Sequence, residues 1–171
     1  MMVIRAWLLS VLVPAASLLL FLAPTLPGAR AESICAAGYV TVVLDRATNR
    51  PKFYGYEFDL AESLINRLGE SVAIACNEGH VCAIRQTSNE AQCVGSDSKN
   101  QLTVPTGVQF RQLSLGYSFS AGVDFNDRLH VWGNTDNNLQ ELGDESYSVM
   151  MVSAGQYTWC AIGIAGNLFC K

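Results

Sequence analysis

The chain has 171 residues, of which half are hydrophobic and six are cysteines, and its 11 basic and 15 acidic side chains give a formal charge of −4. This acidic balance disfavours a nucleic-acid-binding surface, which needs clustered basic residues to displace counterions. The length is sufficient for about one domain.

The first 31 residues predict a secretory signal peptide. Arg5 precedes an apolar run that Pro14 interrupts, and Ala29 and Ala31 stand at the small-residue positions of a signal-peptidase site. We therefore expect cleavage after Ala31 and a secreted or extracellular protein. An uncleaved signal anchor is the alternative, because the apolar run is nearly long enough to span a bilayer. Cleavage leaves nine basic and 15 acidic residues, a formal charge of −6, and no later segment is apolar enough for a further span.

The remainder of the sequence repeats with a period of about 39 residues. Stepping back 39 residues from Cys160 reaches Ala121 and then Cys82, and the surrounding stretches "VSAGQYTWCAI", "LSLGYSFSAGV" and "AIACNEGHVCAI" align without a gap. A third step of the same length predicts that Val43 is the equivalent residue of the first unit. Each unit consists of a short apolar strand, a turn, a second strand, a polar turn and a third strand that ends at a glycine.

Short strands at this spacing predict an all-β fold, a partial β-propeller whose antiparallel blades bury their faces against one another. A β-sandwich of similar strands is the competing fold, but it does not explain the equal spacing. The segment 58–70 is either a short helix or a degenerate strand. The predicted propeller occupies residues 32–171. Its repeats cover approximately residues 33–71, 72–110, 111–149 and, in truncated form, 150–171.

An even number of cysteines behind a secretory signal favours disulfides, because that compartment is oxidising. Two pairs recur at matching positions of their units, where neighbouring antiparallel strands bring the Cα atoms within bonding range. They are Cys82 with Cys93 and Cys160 with Cys170. Buried free thiols are the alternative. Cys35 and Cys76 lie near the same turn of adjacent units, and a bridge between them stays an open possibility.

The stretch "CNEGHVC" raises the hypothesis of a zinc site made by Cys76, His80 and Cys82. Structural zinc needs four ligands, and a disulfide explains Cys82 better. The sequence has no GxSxG motif or phosphate-binding loop, and its turn acids lack the spacing of an EF-hand loop. We therefore expect no enzymatic activity, no metal and no cofactor.

Two stretches, "VWGNTDNNLQELG" (131–143) and "VSAGQYTWCAI" (152–162), resemble the repeat of the regulator-of-chromosome-condensation family. The matching residues are Trp132, Gly133, Asn134, Leu142 and Gly143, and Ser153, Ala154, Gly155, Tyr157 and Ala161. The short period and paired cysteines are more similar to the extracellular propeller of Crinkly-type plant receptor kinases. These families close seven blades, so we expect the chain to be a piece of a larger receptor or propeller protein.

Propeller turns are variable and lie on a rigid scaffold, which suits them to binding. We expect a protein-binding module that recognises a protein or peptide, with Tyr117, Tyr147 and Tyr157 as candidate contacts. For Phe119 and Trp159, packing between blades is the favoured interpretation. The alternative function is guanine-nucleotide exchange or chromatin association like that of the family's namesake, which the leader and the acidic charge disfavour. Open blade edges also predict self-association.

Overall fold

The structure is a computed structural model that describes residues 34–38, 40–55, 65–134 and 148–171. The predicted signal peptide, Tyr147 and most of the ambiguous segment 58–70 lie outside these residues. Of that segment, residues 65–70 are described, and they contain a short 3-10 helix at Asn66–Leu68. The helix therefore replaces a strand in at least the last part of the segment.

The described residues form twelve β-strands in four antiparallel three-stranded sheets, and each sheet keeps the chain order of its strands. Sheet 1 consists of β1 (Ile34–Ala37), β2 (Val40–Leu44) and β3 (Pro51–Gly55), and sheet 2 consists of β4 (Ser71–Cys76), β5 (His80–Arg85) and β6 (Ala91–Gly95). Sheet 3 consists of β7 (Phe110–Leu115), β8 (Phe119–Asp124) and β9 (Leu129–Gly133). Sheet 4 consists of β10 (Val149–Ala154), β11 (Trp159–Gly163) and β12 (Leu168–Cys170). The predicted all-β fold of short repeated hairpins is confirmed.

The turn between the second and third strands has the same backbone conformation at one position in every sheet. One residue adopts a positive φ, a conformation that glycine, asparagine and aspartate tolerate best. These residues are Asn49 (54°), Asn89 (57°), Asp127 (62°) and Gly166 (86°). The polar composition of these turns, which was visible in the sequence, therefore serves a specific backbone geometry.

The same turn residue joins each sheet to the next one. In the first three sheets its carbonyl accepts a hydrogen bond from the backbone N–H that begins the first strand of the following sheet. The bonds run from Ser71 to Asn49 (2.7 Å), from Phe110 to Asn89 (2.8 Å) and from Val149 to Asp127 (2.7 Å). Because the same hydrogen bond recurs at nearly equal intervals along the chain, each sheet begins at the same position relative to the sheet before it.

Strand pairing corrects the first step of the repeat. Cys82 pairs with Cys93, and the equivalent pair of sheet 1 is Val42 with Phe53. The equivalent of Cys82 is therefore Val42, and the prediction of Val43 was wrong by one residue. A shift of one residue moves a side chain to the other face of a sheet, and Val42 is fully buried. The first step is therefore 40 residues, one residue longer than each of the next two.

The core lies between consecutive sheets. One buried cluster joins sheets 1 and 2, a second joins sheets 2 and 3, and a third joins sheets 3 and 4. In the third cluster, Phe119 and Ala121 of sheet 3 pack with Val152 and Trp159 of sheet 4. Phe119 and Trp159 are each 1% exposed, so they pack between sheets, as favoured from the sequence.

Polar side chains add a second connection between sheets 3 and 4. The side-chain amide of Gln112 donates to the carbonyl of Val152 (2.9 Å) and accepts from the N–H of the same residue (3.0 Å). Two residues further on, the N–H of Ala154 donates to Ser114 Oγ (2.8 Å). Strand β7 therefore holds β10 through side chains that bond to the backbone of β10.

Between sheets 2 and 3, a buried histidine takes part in a short hydrogen-bond chain. His80 is 0% exposed, and its Nε2 lies 2.9 Å from Ser120 Oγ. The Ser120 hydroxyl donates its proton to the carbonyl of Gln101 (3.0 Å). It therefore accepts a hydrogen bond from His80, which places the ring proton of His80 on Nε2. Burial lowers the pKa of His80 to about 4, and the nearby charge of Asp97 opposes this shift only in part.

All six cysteines are in disulfides. Cys82–Cys93 and Cys160–Cys170 each join the second and third strands of one sheet, with a Cα–Cα distance of 4.1 Å. A third disulfide, Cys35–Cys76, joins β1 to β4 and therefore connects sheets 1 and 2. Because Cys76 and Cys82 have different disulfide partners, they supply no thiolate to a zinc site beside His80.

Gly116 offers a test of the packing between sheets. A Cβ at this position would lie 2.0 Å from the ring of Phe119, which is buried and has no room to move. We expect Gly116→Ala to lower the free energy of unfolding by about 1–3 kcal/mol, measured by urea denaturation. The matched control is Gly155→Ala at the equivalent turn of sheet 4, where the nearest atom is Thr158 Oγ1 at 3.4 Å. Equal losses in both variants would contradict this account.

The histidine predicts a specific loss of stability in acid. The unfolded chain binds a proton at the ordinary pKa of histidine, whereas folded His80 resists protonation until about pH 4. The protein is therefore most stable above the ordinary pKa of histidine. Its free energy of unfolding falls by roughly 3 kcal/mol as the pH drops from that pKa to about 4. His80→Gln, which keeps an N–H donor and does not titrate, should lose less stability between pH 7 and pH 4.5. Denaturation midpoints at both pH values test this, and identical acid losses would refute it.

Candidate binding groove

One face of the structure collects the turns between the first and second strands, together with the chain that follows the third strands. The N–H of Ser96, after β6, donates to the carbonyl of Gly79 (2.8 Å), and the N–H of Asn134, after β9, donates to the carbonyl of Ser118 (2.8 Å). Sheets 2 and 3 therefore each hold the segment that follows their third strand against their own first turn. We call this surface the first-turn face.

Tyr117 and Tyr157 lie next to each other on the first-turn face. Their rings are 48% and 61% exposed, with centroids 5.9 Å apart and planes inclined at 60°. The N–H of Tyr117 donates to the carbonyl of Gln156 (2.9 Å), which fixes the two turns relative to each other. The structure thus brings together two of the three tyrosines that the sequence singled out, and the third, Tyr147, lies outside the described residues.

The tyrosine pair forms one side of a groove of about 290 Å³. Its other side is the segment that follows β6, and the lining is rich in hydroxyl and amide groups. The polar lining residues are Ser96, Ser98, Lys99, Gln101, Ser118 and Asn134. Two exposed aromatic rings beside hydrogen-bonding groups can bind an extended chain through both apolar and polar contacts.

Gln101 holds the groove wall in place. It is 2% exposed, and its carbonyl accepts from both Ser120 Oγ and Trp132 Nε1, each at 3.0 Å. Its side-chain oxygen accepts from the N–H of Lys99 (2.8 Å). Sequence reasoning missed Gln101. The available signal was Trp132, because a buried indole N–H needs an acceptor.

The opposite face carries a buried acidic turn. Asp124 is 5% exposed, and its carboxylate accepts from His130 Nε2 (3.0 Å) and from the N–H groups of Asn126 and Arg128, both at 2.8 Å. Burial opposes its charge, but these hydrogen bonds prevail and hold the pKa of Asp124 below its usual value. Asp124 therefore builds the turn between β8 and β9.

The described residues do not combine His, Cys, Asp and Glu into a group of three or more that could hold a metal ion. Within the same residues, no helix has the length and hydrophobicity that crossing a membrane requires. The groove itself offers aromatic surface, hydroxyls, amides and one ammonium group.

No protein-family model and no curated protein matches the sequence. Solved structures do match the fold. The ectodomain of the Physcomitrella patens receptor kinase CR4 has a TM-score of 0.66 at 18% identity, over 80% of this chain and 39% of that one. The CRINKLY WD40 ectodomain of the Arabidopsis thaliana receptor kinase ACR4 has a TM-score of 0.62 at 18% identity, over 80% and 51%.

Yeast RCC1 (Prp20), solved with Kap60, has a TM-score of 0.62 at 14% identity, over 80% of this chain and 42% of that one. The chain therefore spans between 39% and 51% of the length of these three structures. Likeness at such low identity concerns the fold, and it confirms the resemblance that the sequence motifs carried. The described part of the chain has the fold of a partial β-propeller, similar to that of these structures.

Proposed function

We propose that this protein is a secreted binding module that takes up an extended protein or peptide segment in the groove beside Tyr117 and Tyr157. The observation that carries the proposal is the tyrosine pair itself. Both rings are about half exposed, and tyrosine is a residue that proteins commonly use to anchor interfaces. Their backbones belong to two sheets that are hydrogen-bonded to each other at this point.

The groove wall supports the same function. Because Gln101 is buried and accepts two hydrogen bonds through its carbonyl, the segment opposite the tyrosines is held in one conformation. A site that is ordered before binding loses less conformational entropy when it takes up a ligand. The serine hydroxyls along this wall, those of Ser96 and Ser98, are suited to the backbone groups of an extended peptide.

Related folds bind proteins. Yeast RCC1 was solved in complex with Kap60, and the binding of Prp20p to Gsp1p and histones has been examined. For this chain, an exchange or chromatin function is disfavoured by the predicted leader and by the formal charge of −6 that remains after its cleavage. We also propose that it has no chemistry of its own, because the groove lining offers contacts rather than paired acid and base groups.

Secretion is supported by the predicted signal peptide and by three disulfides, which persist in oxidising compartments. The ectodomain likeness agrees with an extracellular location.

The groove can be tested with a library of random linear peptides displayed on phage and selected on the purified protein. We expect selected peptides to bind the Tyr157→Ala variant at least about tenfold more weakly, because aromatic anchors carry a large share of interface energy. The measurement is the dissociation constant by calorimetry for each synthetic peptide.

The matched control for that experiment is Phe125→Ala. Phe125 is 56% exposed, between the values of the two tyrosines, but it lies in the turn after β8 on the opposite face. Its removal should leave the peptide affinity unchanged. Peptides that lose affinity equally in both variants, or in neither, would argue against the groove.

Secretion and disulfide formation can be tested together by intact mass. When the full sequence is expressed in a host that secretes it, the protein recovered from the culture medium should begin at Glu32. Its mass should not change with an alkylating agent until a reductant is added, after which six alkyl groups should be incorporated. Retention of residues 1–31 would indicate a signal anchor, and alkylation before reduction would refute one or more of the disulfides.

A further inference from the structure

The groove beside Tyr117 and Tyr157 is built from turns and from the segments that follow strands. Among the described residues that line it, none belongs to a strand. They lie in turns between first and second strands, such as Gly79, or after third strands, such as Ser96 and Asn134. A peptide that joins a protein as an added strand needs a free strand edge, with N–H and carbonyl groups in a row. The described lining of the groove offers no such edge.

Much of the main chain around the groove is already hydrogen-bonded within the protein. The N–H of Gly79 donates to Asn77 Oδ1 (2.9 Å), and the N–H of Lys99 donates to Gln101 Oε1 (2.8 Å). Three turn carbonyls already accept a hydrogen bond from the protein's own backbone, those of Gly79, Ser118 and Gln156. A ligand in the groove must therefore bond chiefly to side chains, and each N–H that it buries there competes for few acceptors.

The side chains of the groove favour a ligand that accepts hydrogen bonds. Tyr157 Oη accepts from the side-chain amide of Gln156 (3.3 Å), so its own proton can be donated to a ligand carbonyl. The hydroxyls of Ser96 and Ser98 can donate in the same way. The described lining contains one cation, Lys99, and neither Asp nor Glu. The ligand that fits best therefore presents carbonyl groups, few N–H groups and no excess of positive charge.

We propose that the groove binds a proline-rich segment in the polyproline II conformation, an inference that rests on the proposed function and names the class of peptide. This extended helix has no internal hydrogen bonds, so its carbonyls are free to accept from the groove. Each proline lacks an N–H and therefore buries no donor that needs an acceptor. Its pyrrolidine ring is apolar and packs against aromatic side chains, as in other grooves that bind proline-rich ligands.

The tyrosine pair has a geometry that suits a pyrrolidine ring. The ring planes of Tyr117 and Tyr157 are inclined at 60°, with centroids 5.9 Å apart, so the two half-exposed rings form a notch rather than one flat surface. A proline in this notch can contact both rings. Gln101 holds the opposite wall in one conformation, and the polyproline II helix is also ordered before binding, so little conformational entropy is lost on association.

The test compares two phage-displayed peptide libraries of equal length that differ only in proline. One library fixes the pattern x-Pro-x-x-Pro-x, and the other excludes proline from every position. Selection on the purified protein should yield binders from the proline library, with dissociation constants at least about tenfold lower than those of any proline-free binder. Replacement of a selected peptide's prolines by alanine, or the Tyr157→Ala variant, should each weaken binding at least about tenfold by calorimetry.

Two further variants refine the test. Tyr157→Phe keeps the ring and loses the hydroxyl donor, so it should weaken binding only about two- to tenfold. Phe125→Ala, at an equally exposed site on the opposite face, should leave the affinity unchanged. Circular dichroism should show the same fold in all variants, since the substituted rings are about half exposed.

The outcomes separate this inference from the proposed function. Proline-free peptides that bind as tightly as proline-containing ones and lose affinity in Tyr157→Ala would leave the groove as a peptide site and overturn the polyproline II inference alone. If no peptide from either library loses affinity in Tyr157→Ala, both the inference and the proposed function are wrong. Proline-containing binders whose affinity survives replacement of their prolines by alanine would also overturn the inference.

Discussion

The structure depends on one backbone hydrogen bond that recurs between successive sheets. The carbonyl of a turn residue with positive φ accepts the first strand N–H of the following sheet, at 2.7–2.8 Å in all three cases. An ordinary side chain disfavours that φ, which explains asparagine, aspartate or glycine at the position. Because this bond sets where each sheet begins, the faces of neighbouring sheets meet in a constant register and their apolar rows bury one another.

The groove is a consequence of that stacking. Tyr117 and Tyr157 come from sheets 3 and 4, and their rings lie 5.9 Å apart only because the two sheets are held side by side. The wall opposite them is fixed by a chain of contacts that passes through the core, from His80 to Ser120 to Gln101. Stability and binding are therefore linked, since protonation of His80 in acid would disturb the interface that supports the groove wall.

Sequence reasoning predicted the repeat, the strand order and the disulfide pairs within hairpins, because all of these are local or periodic. A 39-residue step detects equivalent residues wherever the turns have equal length, and it failed by one residue at Val42, where the first step is 40. It could not decide the bridge between Cys35 and Cys76, which joins β1 and β4 of different sheets. It also missed Gln101 and the buried role of Asp124, since each depends on partners brought in by folding.

The sequence by itself determined that this protein is built of short antiparallel strands in equal units, because turn chemistry and apolar alternation operate over a few residues. It also showed which tyrosines to examine, but not that two of them would be neighbours. Only the tertiary structure decided which faces of neighbouring sheets cover each other and which pair of tyrosines meets. The physical reason is that burial is a property of two surfaces in contact, and those surfaces lie about 40 residues apart along the chain.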